Sequence, residues 1–420
     1  MALAAKLHFV GIGGAGMAPL AALCHLSGRR VSGSDCMMNA KMEHLENLGI
    51  SVFAGHSGSI MPDDTDCLIY SSAVPPENPE RQKAASLGIP QLCRGAALAE
   101  FSCDYKRVIA VSGAHGKSSI TALISHILKE NGFQPGFMIG ADFNGGDNYS
   151  AGDGDIFVTE ADESDGTHKL LKPWCGVIPN YDPDHAWSVG GEEQLKKNFC
   201  EFAVRSQNLL YYGYKEVEEF CSARTGKLEV VPENFSYAGF SGYEASNALI
   251  AVKCCMLAGC SEEQAVKAAS SFPGIARRMT VRLNTARLTI IEDYAHHPTE
   301  VRNSINLLRL RYANSHLRVV FQPHRYARLE KFFAGFVAEL KKADSLYVAP
   351  VFAAWSEHGK VNSDMLAAEC GGNIVVADWK QAAETVLSDI PEDKPLLIAV
   401  LGAGDINGIF PYLLERATVL

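Results

Sequence analysis

Two glycine-rich turns, each placed between a short apolar run and a helical pattern, constrain the fold of this chain more than any other feature of its sequence. The first turn covers residues 11–16 and follows the apolar run 7–10; the second covers residues 113–118 and follows the apolar run 107–111. A strand that leads through a glycine turn into a helix opens a parallel α/β unit, in which the helix packs back on the sheet. The chain is therefore predicted to contain at least two such units.

The rest of the chain continues the alternation of apolar runs and helical periodicity. Further strands are predicted at residues 31–35, 67–71, 155–159, 176–179, 288–292, 318–321, 345–349 and 396–401. A length of 420 residues, at roughly 100–200 residues per domain, predicts two to four domains. Breaks near residues 102–106 and 270–275 favour three domains: a Rossmann-like domain at 1–104, a central α/β domain of the P-loop type at 105–272, and a C-terminal Rossmann-like α/β domain at 273–420.

The composition argues against several classes of protein. A net charge of −10 argues against a surface for polyanions, so no nucleic-acid partner is expected. The 12 cysteines contain no C-x-x-C pair, which fits reduced thiols better than disulfides or a zinc site. No apolar stretch approaches the roughly 18 residues of a membrane span, and no targeting segment is evident. We therefore expect a cytoplasmic protein with no membrane partner.

The first turn has the G-x-G-x-x-G pattern, which is typical of diphosphate binding. The candidate binding residues are Gly13, Gly14, Ala15 and Gly16, because missing side chains and a helix N-terminus let a pyrophosphate approach the backbone. Asp35, about twenty residues further on, is placed to accept a hydrogen bond from a ribose hydroxyl. A turn needed only for packing is the plain alternative. The motif alone does not separate a nicotinamide cofactor from a UDP-sugar.

The second turn lacks the first glycine of the G-x-x-x-x-G-K-[ST] loop, since Val111 stands in that place. It still predicts a phosphate cradle, in which Lys117 reaches the β- and γ-phosphates of a nucleotide and Ser118 ligates magnesium. An exposed lysine after a turn is the alternative. A nicotinamide-dependent dehydrogenase has no need for such a loop, so the two turns together favour two different phosphorylated ligands.

An acidic segment, residues 159–165, ends a predicted strand of the central domain, and a second polar segment follows at 180–185. Magnesium prefers a few hard oxygen ligands, and a carboxylate at a strand end beside the phosphate loop suits that role. The predicted metal ligands are Ser118, Glu160 and His185. The other carboxylates of the segment are as readily explained by contact with solvent; they are Asp162, Glu163 and Asp165.

Two polar segments, 293–300 and 321–328, follow strands of the third domain. Both therefore lie at the carboxyl edge of a parallel sheet, where open α/β sheets bind ligands. Arg325 and Arg328 suit the recognition of a carboxylate through paired hydrogen bonds. The histidine pair at 296–297 is also compatible with a metal site, although no third ligand at suitable spacing supports one.

Taken together and in this order, these segments resemble those of the Mur ligase family over nearly the whole chain. The matching segments include residues 8–17, 32–35, 71–74, 78–80, 113–118, 160–165, 184–185, 277–278, 293–300, 321–326 and 402–404. Residues 321–326 look like the alanine-adding branch of the family. The resemblance implies a UDP-sugar-binding domain, a central ATP-binding domain and an amino-acid-binding domain.

The resemblance also implies an ATP-dependent amide-bond-forming ligase. The lactyl carboxylate of UDP-N-acetylmuramate would be phosphorylated by ATP, and L-alanine would displace the phosphate. Implied catalytic residues are Lys117, Glu160, His185 and Arg325. Implied residues for ATP and Mg²⁺ are Gly113, Ala114, His115, Gly116, Lys117, Ser118, Ser119, Asn247, Arg277 and Asp293. Implied substrate contacts, beyond the first turn and Asp35, are Ser71, Ser72, Tyr294, His296, His324, Arg325 and Arg328.

The chain departs from the family pattern at several positions. Where the family has an adenine-contacting His-Asn pair, this chain has Tyr243 and Glu244. Residues 184–187 also differ from the family's Asp-His-Met-Asp, and the stretch 212–241 is shorter. Two alternatives therefore stay open: a diverged ligase with another amino acid or acceptor, and a weakly active regulator that binds a UDP-sugar. A monomer or weak homodimer is expected.

Overall fold

The computed structural model describes residues 3–141, 143, 147–221, 223–354, 358–376 and 378–417. The chain divides into two compact units, the first formed by Met1–Val231 with Asn247–Pro273 and the second by Pro232–Ser246 with Gly274–Leu420. Within the described residues, no helix combines the length and the hydrophobicity that a membrane crossing requires. The cysteines are free thiols, as expected, and Cys254, Cys255 and Cys260 pack in a core.

The first unit begins with a parallel sheet of strand order β3-β2-β1-β4-β5. Its elements are β1 (Lys6–Val10), α1 (Met17–Leu26), β2 (Arg30–Asp35), α2 (Ala40–Asn47), β3 (Ser51–Ala54), β4 (Cys67–Tyr70), α3 (Pro79–Ser86), β5 (Gln91–Cys93) and α4 (Arg94–Ser102). Helix α1 is apolar on all sides, and every residue from Met17 to Cys24 is buried, as expected for a helix enclosed by the core. This is the Rossmann-like order expected from the first turn.

A second sheet in the same unit has the strand order β12-β11-β10-β6-β9-β7-β8 and is parallel apart from the β7–β8 pair. Its elements are β6 (Arg107–Val111), α5 (Lys117–Glu130), β7 (Gly136–Met138), β8 (Tyr149–Ser150), β9 (Ile156–Glu160), β10 (Cys175–Ile178), α6 (Glu192–Arg205), β11 (Asn208–Tyr212), α7 (Lys215–Cys221) and β12 (Lys227–Leu228). One apolar cluster, which includes Phe9, Phe101 and Phe157, joins the two sheets.

Four elements follow the second sheet in the chain. They are the antiparallel pair β13 (Ser236–Tyr237) and β14 (Phe240–Ser241), and the helices α8 (Tyr243–Ala258) and α9 (Glu262–Ser270). Helix α9 was not predicted, although its start carries a readable signal. Ser261 accepts a hydrogen bond from the backbone of Gln264, and the Gln264 side chain accepts one from the backbone of Ser261. This capping box satisfies two backbone N–H groups at the helix start.

The second unit contains a sheet of order β15-β16-β20-β17-β18-β19, in which only β15 is antiparallel to its neighbour. Its elements are β15 (Thr280–Asn284), β16 (Leu288–Asp293), α10 (Pro298–Arg311), β17 (His316–Phe321), α11 (Tyr326–Lys331), α12 (Phe333–Leu340), β18 (Ser345–Val348), α13 (Ser363–Cys370), β19 (Asn373–Ile374), α14 (Trp379–Val386), β20 (Leu396–Leu401) and α15 (Phe410–Ala417). The predicted α/β class with several mainly parallel sheets is confirmed, while the three domain boundaries stay a prediction.

Candidate active site

The carboxyl ends of three neighbouring strands meet around the second glycine turn. Strand β6, which leads into the turn, lies between β9 and β10, and all three are parallel. Ser112 N donates to Val177 O at 2.9 Å, and Ala161 N donates to Val111 O at 2.8 Å. These bonds hold the carboxyl ends of the three strands together. The turn, the acidic segment 159–165 and the segment from residue 180 therefore share one edge of the sheet, as the predicted site requires.

The backbone conformation of the second turn is fixed by its glycines and by hydrogen bonds to neighbouring residues. Gly113 and Gly116 have φ values of +142° and +84°, a region that residues with a Cβ rarely adopt. His115 N donates to Asn180 Oδ1 and Asn180 Nδ2 donates to His115 O, both at 2.9 Å. A Cβ on Gly116 would lie 3.0 Å from Asn247 Oδ1, so this predicted nucleotide contact lies against the turn. Ala114, Ser118 and Ser119 are half-buried beside it.

Lys117 folds back over its own turn. Its Nζ donates to Gly113 O at 2.7 Å, to Ala114 O at 3.4 Å and to Glu163 Oε2 at 2.8 Å. Burial opposes the charged ammonium, but the Glu163 and Asp162 carboxylates outweigh burial and raise the pKa of Lys117 above its ordinary value. Glu163 is buried, which raises its pKa to about 7 despite the ammonium beside it. Lys117 is therefore protonated near pH 7, and its ammonium lies against the backbone of the turn.

Glu160 lies at the end of β9, where its carboxylate accepts a 2.5 Å hydrogen bond from Gly140 N. Burial raises the pKa of Glu160, and the contacts with Gly140, Lys117 and Ser118 oppose the rise. Ser118 and Glu160 therefore offer neighbouring hard oxygen atoms, which is the chemistry that magnesium prefers. His185 falls in the 3-10 helix Pro183–Val189, and its side chain lies outside the described part of the structure.

The first glycine turn is organised by Asp35. Gly13 N donates to Asp35 Oδ2 at 2.9 Å, and Gly11 N donates to Ser34 O at 2.8 Å. Ser71 follows β4 and donates its N–H to Val10 O at 3.1 Å, which places it at the start of the same turn. Gly14 and Gly16 are half-buried, while Ala15 and Ser72 are exposed. Asp35 thus binds the turn itself, a role that the ribose assignment did not include.

A buried polar cluster lies beneath this edge of the first sheet. Glu80, which is fully buried, contacts His8 Nε2 at 2.6 Å and His56 Nδ1 at 2.9 Å, and accepts a hydrogen bond from Ser34 Oγ at 2.8 Å. Burial alone would raise the pKa of Glu80, but the hydrogen bonds from His8, Ser34 and His56 together lower it. The carboxylate therefore stays ionised, and it holds the end of β2 against α3.

We expect Glu80→Gln to lower the apparent Tm by about 5 °C, because losing a charged hydrogen-bond acceptor costs about 2 kcal/mol and each kcal/mol shifts Tm by roughly 2–4 °C. A lowered pKa means that Glu80 contributes stability above its ordinary pKa of 4.5, and that the contribution is lost as pH falls through the lower folded value. The Tm gap should be full near pH 7 and shrink below about pH 4. Differential scanning calorimetry at several pH values measures the Tm difference between the unmodified chain and Glu80→Gln, with exposed Glu77→Gln as the control. A Tm difference that does not depend on pH would contradict a stabilising role for the ionised Glu80.

In the second unit, Tyr294 lies between two arginines. The Cζ atoms of Arg277 and Arg278 are 4.9 Å and 5.1 Å from its ring centroid, within the range of cation–π contacts. Arg277 Nη2 donates to Gly402 O at 2.9 Å, which fixes it to the carboxyl end of β20. Asp293, predicted to contact the nucleotide, is buried and accepts hydrogen bonds from Met279 N at 2.8 Å and from Ala295 N at 2.9 Å. Asp293 therefore fixes the backbone directly after Arg277 and Arg278.

A histidine–arginine group lies at the carboxyl end of β17. The rings of His296 and His324 are 5.7 Å apart, and Arg328 Nη1 donates to His324 Nδ1 at 3.3 Å. Burial, with the nearby His296 and Arg328 charges, lowers the pKa of His324 to about 3, so its imidazole is neutral near pH 7. Arg325 is the N-cap residue before α11, with a φ of +69°, and its N–H donates to Phe352 O at 2.9 Å. Of the predicted amino-acid contacts, His296, His324, Arg325 and Arg328 thus share one edge.

The departure at residues 243–244 has a local explanation in the second unit. Glu244 pairs with Arg311 of α10, and Tyr243 packs beside the apolar core of this unit. Both side chains are therefore engaged with their own unit. Four residues that hold the sites together were missed or left undecided by sequence reasoning: Glu80, Arg94, Glu163 and Asn180. Each makes its contact with a residue far away in the chain, and no local pattern signals such a pair.

Comparisons with known proteins match nearly the whole chain to one family. Residues 6–106 match the model of the Mur ligase family, catalytic domain, and residues 277–404 match that of the Mur ligase, glutamate ligase domain. The chain is 32% identical to UDP-N-acetylmuramate–L-alanine ligase from Desulforamulus reducens, across 98% of this chain and 97% of that one. It is 34% identical to the enzyme of the same name from Aquifex aeolicus, across 96% and 95%.

Solved structures show the same fold. The chain superposes with a TM-score of 0.80 and 23% identity on UDP-N-acetylmuramate-alanine ligase from Thermotoga maritima, covering 99% of each chain. A murein peptide ligase from Psychrobacter arcticus gives a TM-score of 0.66 with 18% identity and covers 99% of each chain. Together with the full-length relatives, these matches mean that the chain belongs to the Mur ligase family of ATP-dependent amide-bond-forming ligases.

Proposed function

We propose that the chain joins L-alanine to the lactyl carboxylate of UDP-N-acetylmuramate in the cytoplasm, with ATP as the phosphate donor, for peptidoglycan precursor synthesis. The observation that carries the proposal is the pair of glycine turns in one compact unit, of which the second holds Lys117 against an acidic segment. The names of the full-length relatives support the choice of substrates. Membership in a ligase family argues against the nicotinamide-dependent alternative.

In the first step, a lactyl carboxylate oxygen attacks the γ-phosphorus of ATP, ADP leaves, and an acyl phosphate forms. The Lys117 ammonium and backbone N–H groups of residues 113–119, apart from the His115 N–H that Asn180 accepts, bind the triphosphate. Lys117 then exchanges its carbonyl and carboxylate partners for phosphate oxygens. Asn247 supports the turn from the side. Magnesium, for which Ser118, Glu160 and His185 are the proposed ligands, neutralises charge on the phosphates when bound.

In the second step, the neutral amine of L-alanine attacks the acyl carbon, the C–O bond to phosphate breaks, and inorganic phosphate and one amine proton leave, so that an amide bond replaces the acyl phosphate. Arg325 and Arg328 are proposed to bind the alanine carboxylate. Neutral His324 accepts a hydrogen bond from Arg328 and so orients its guanidinium. Tyr294 and His296 line the same edge of the sheet, where Glu292 and the carbonyl of Gly402 hold Arg277.

The decisive assay measures phosphate release from ATP and Mg²⁺ in the presence of UDP-N-acetylmuramate and a panel of amino acids. We expect release with L-alanine above all others, together with formation of the UDP-sugar–alanine product. Release with a different amino acid would assign the chain to a diverged ligase. Binding of the UDP-sugar with no release for any amino acid would instead support the regulator, which the Tyr243–Glu244 departure favours.

We expect Arg325→Ala to raise the KM for L-alanine about 10- to 100-fold with a smaller change in kcat, because a hydrogen bond to a charged group contributes about 1.5–3 kcal/mol. Arg325→Lys should lie between, since lysine keeps the charge but not the paired donors. Arg287→Ala is a matched control, because Arg287 is exposed and lies before the start of β16. Steady-state kinetics with varied L-alanine measures the effect, and an unchanged KM would exclude the carboxylate contact.

A further inference from the structure

The first residue of α4 brings a positive charge to the first glycine turn. A Cβ on Gly16 would lie 3.0 Å from Arg94 Cδ and 3.2 Å from Arg94 Nη1, so the arginine lies directly against this turn. The guanidinium also contacts the carboxylate of Asp165, which follows the acidic segment of the second sheet. Arg94 thus connects two loops that belong to the two phosphate sites of the first unit.

Arg94 lies between the start of α1 and the carboxylates of Asp165 and Asp162: it pairs with Asp165, and its charge helps to lower the pKa of Asp162. Gly16 precedes α1, whose first turn carries neither an acidic residue nor a side-chain cap. The N-terminal end of a helix carries partial positive charge, so a guanidinium beside it is unfavourable unless an anion lies nearby. Asp165 supplies one negative charge and is itself engaged with Thr167 N at 3.0 Å. A diphosphate at the turn would place negative charge beside both the helix N-terminus and the guanidinium, and its oxygens would match the paired donors of an arginine.

The position of Arg94 is fixed by close packing. A Cβ on Gly95, the next residue, would lie 2.3 Å from Thr167 Oγ1, so the start of α4 is pressed against residues 165–167. The Arg94 side chain is 20% exposed and that of Asp165 is 27% exposed, which leaves part of the guanidinium open to a ligand. The arginine is therefore held in advance of binding, and little side-chain freedom remains to be lost.

We propose that Arg94 binds the diphosphate of the sugar nucleotide at the first turn, and that Asp165 positions its guanidinium. This inference rests on the proposed function only in taking the ligand of this turn to be a nucleoside diphosphate. It assigns a phosphate contact to α4, outside the glycine turn, and it gives Asp165 a positioning role in place of the metal-ligand role that the sequence left open.

Isothermal titration of UDP against the full-length chain tests the proposal. We expect Arg94→Ala to raise the Kd for UDP at least tenfold, Arg94→Lys to raise it less, and Asp165→Asn to raise it about threefold. Arg29→Ala is the matched control, because Arg29 pairs with Asp104 at 2.6 Å just beyond the other end of α1. Its Kd for UDP should stay within twofold of that of the unmodified chain. Arg94→Lys serves alone if the alanine variant does not fold.

Four results would overturn the proposal: no binding of UDP by the unmodified chain, an unchanged Kd in the Arg94 variants, an unaltered KM for the UDP-sugar in Arg94→Ala, or a loss in Asp165→Asn as large as in Arg94→Ala. The last result would mean that the ion pair acts only through the packing of α4. A different result would contradict the proposed function alone: UDP binding that depends on Arg94, with no phosphate release in the presence of L-alanine. Normal ligation with an unaltered KM for the UDP-sugar in Arg94→Ala would refute only the Arg94 contact.

Discussion

Replacing Lys117 by alanine is expected to lower ATP-dependent phosphate release by at least about a thousandfold while leaving UDP-sugar binding within about threefold of normal. Removing one preorganised donor from a transition-state site typically costs about 10²–10³ in kcat, and Lys117 also carries a full charge toward the γ-phosphate. The UDP-sugar is proposed to bind at the other glycine turn, which Lys117 does not contact. Single-turnover phosphate release and titration with UDP-N-acetylmuramate measure the two effects.

The control for this experiment is Lys129→Ala, which removes an exposed lysine from the last turn of the same helix. It should leave turnover unchanged. Because Lys117 balances the buried Glu163, the alanine variant should also unfold at a lower temperature, so binding of the UDP-sugar is needed to show that the unit is folded. Near-normal turnover in a folded Lys117→Ala variant would contradict the assignment of the second turn.

The second large effect is expected for Glu160→Gln, which keeps the shape of the side chain and removes its charge. We expect kcat to fall about 100-fold and the Mg²⁺ concentration for half-maximal activity to rise, because a neutral amide is a poorer magnesium ligand than a carboxylate. Exposed Glu130→Gln at the end of α5 is the matched control. A loss of kcat with no change in the Mg²⁺ requirement would remove Glu160 from the metal site.

The local pieces of the site could be predicted because each lies within one strand–turn–helix unit. The strand predicted at residues 107–111 and the helix predicted after the second turn are confirmed as β6 and α5. Glycines at both turns and polar residues after strand ends also predict which edge of each sheet would bind ligands. These signals are local because glycine conformation and apolar periodicity depend on a few neighbouring residues.

The remaining parts could not be predicted because they depend on how distant segments meet. The last strand, β20, lies between β16 and β17, and this insertion brings Gly402 to Arg277. The pairing of Lys117 with Glu163 likewise follows from the neighbouring exits of β6 and β9. No local pattern in one amino-acid sequence indicates contacts between such distant residues. The capping box of α9, in contrast, was a readable signal that was overlooked.

The central claim is that two glycine turns bind two different phosphorylated molecules, with the nucleotide triphosphate at residues 113–118. A crystal structure of the chain with UDP-N-acetylmuramate, Mg²⁺ and a non-hydrolysable ATP analogue tests it most directly. We expect the β- and γ-phosphates within hydrogen-bonding distance of the backbone N–H groups of this turn and of Lys117 Nζ, with that lysine released from Glu163. A triphosphate bound at residues 11–16, or away from both turns, would contradict the claim.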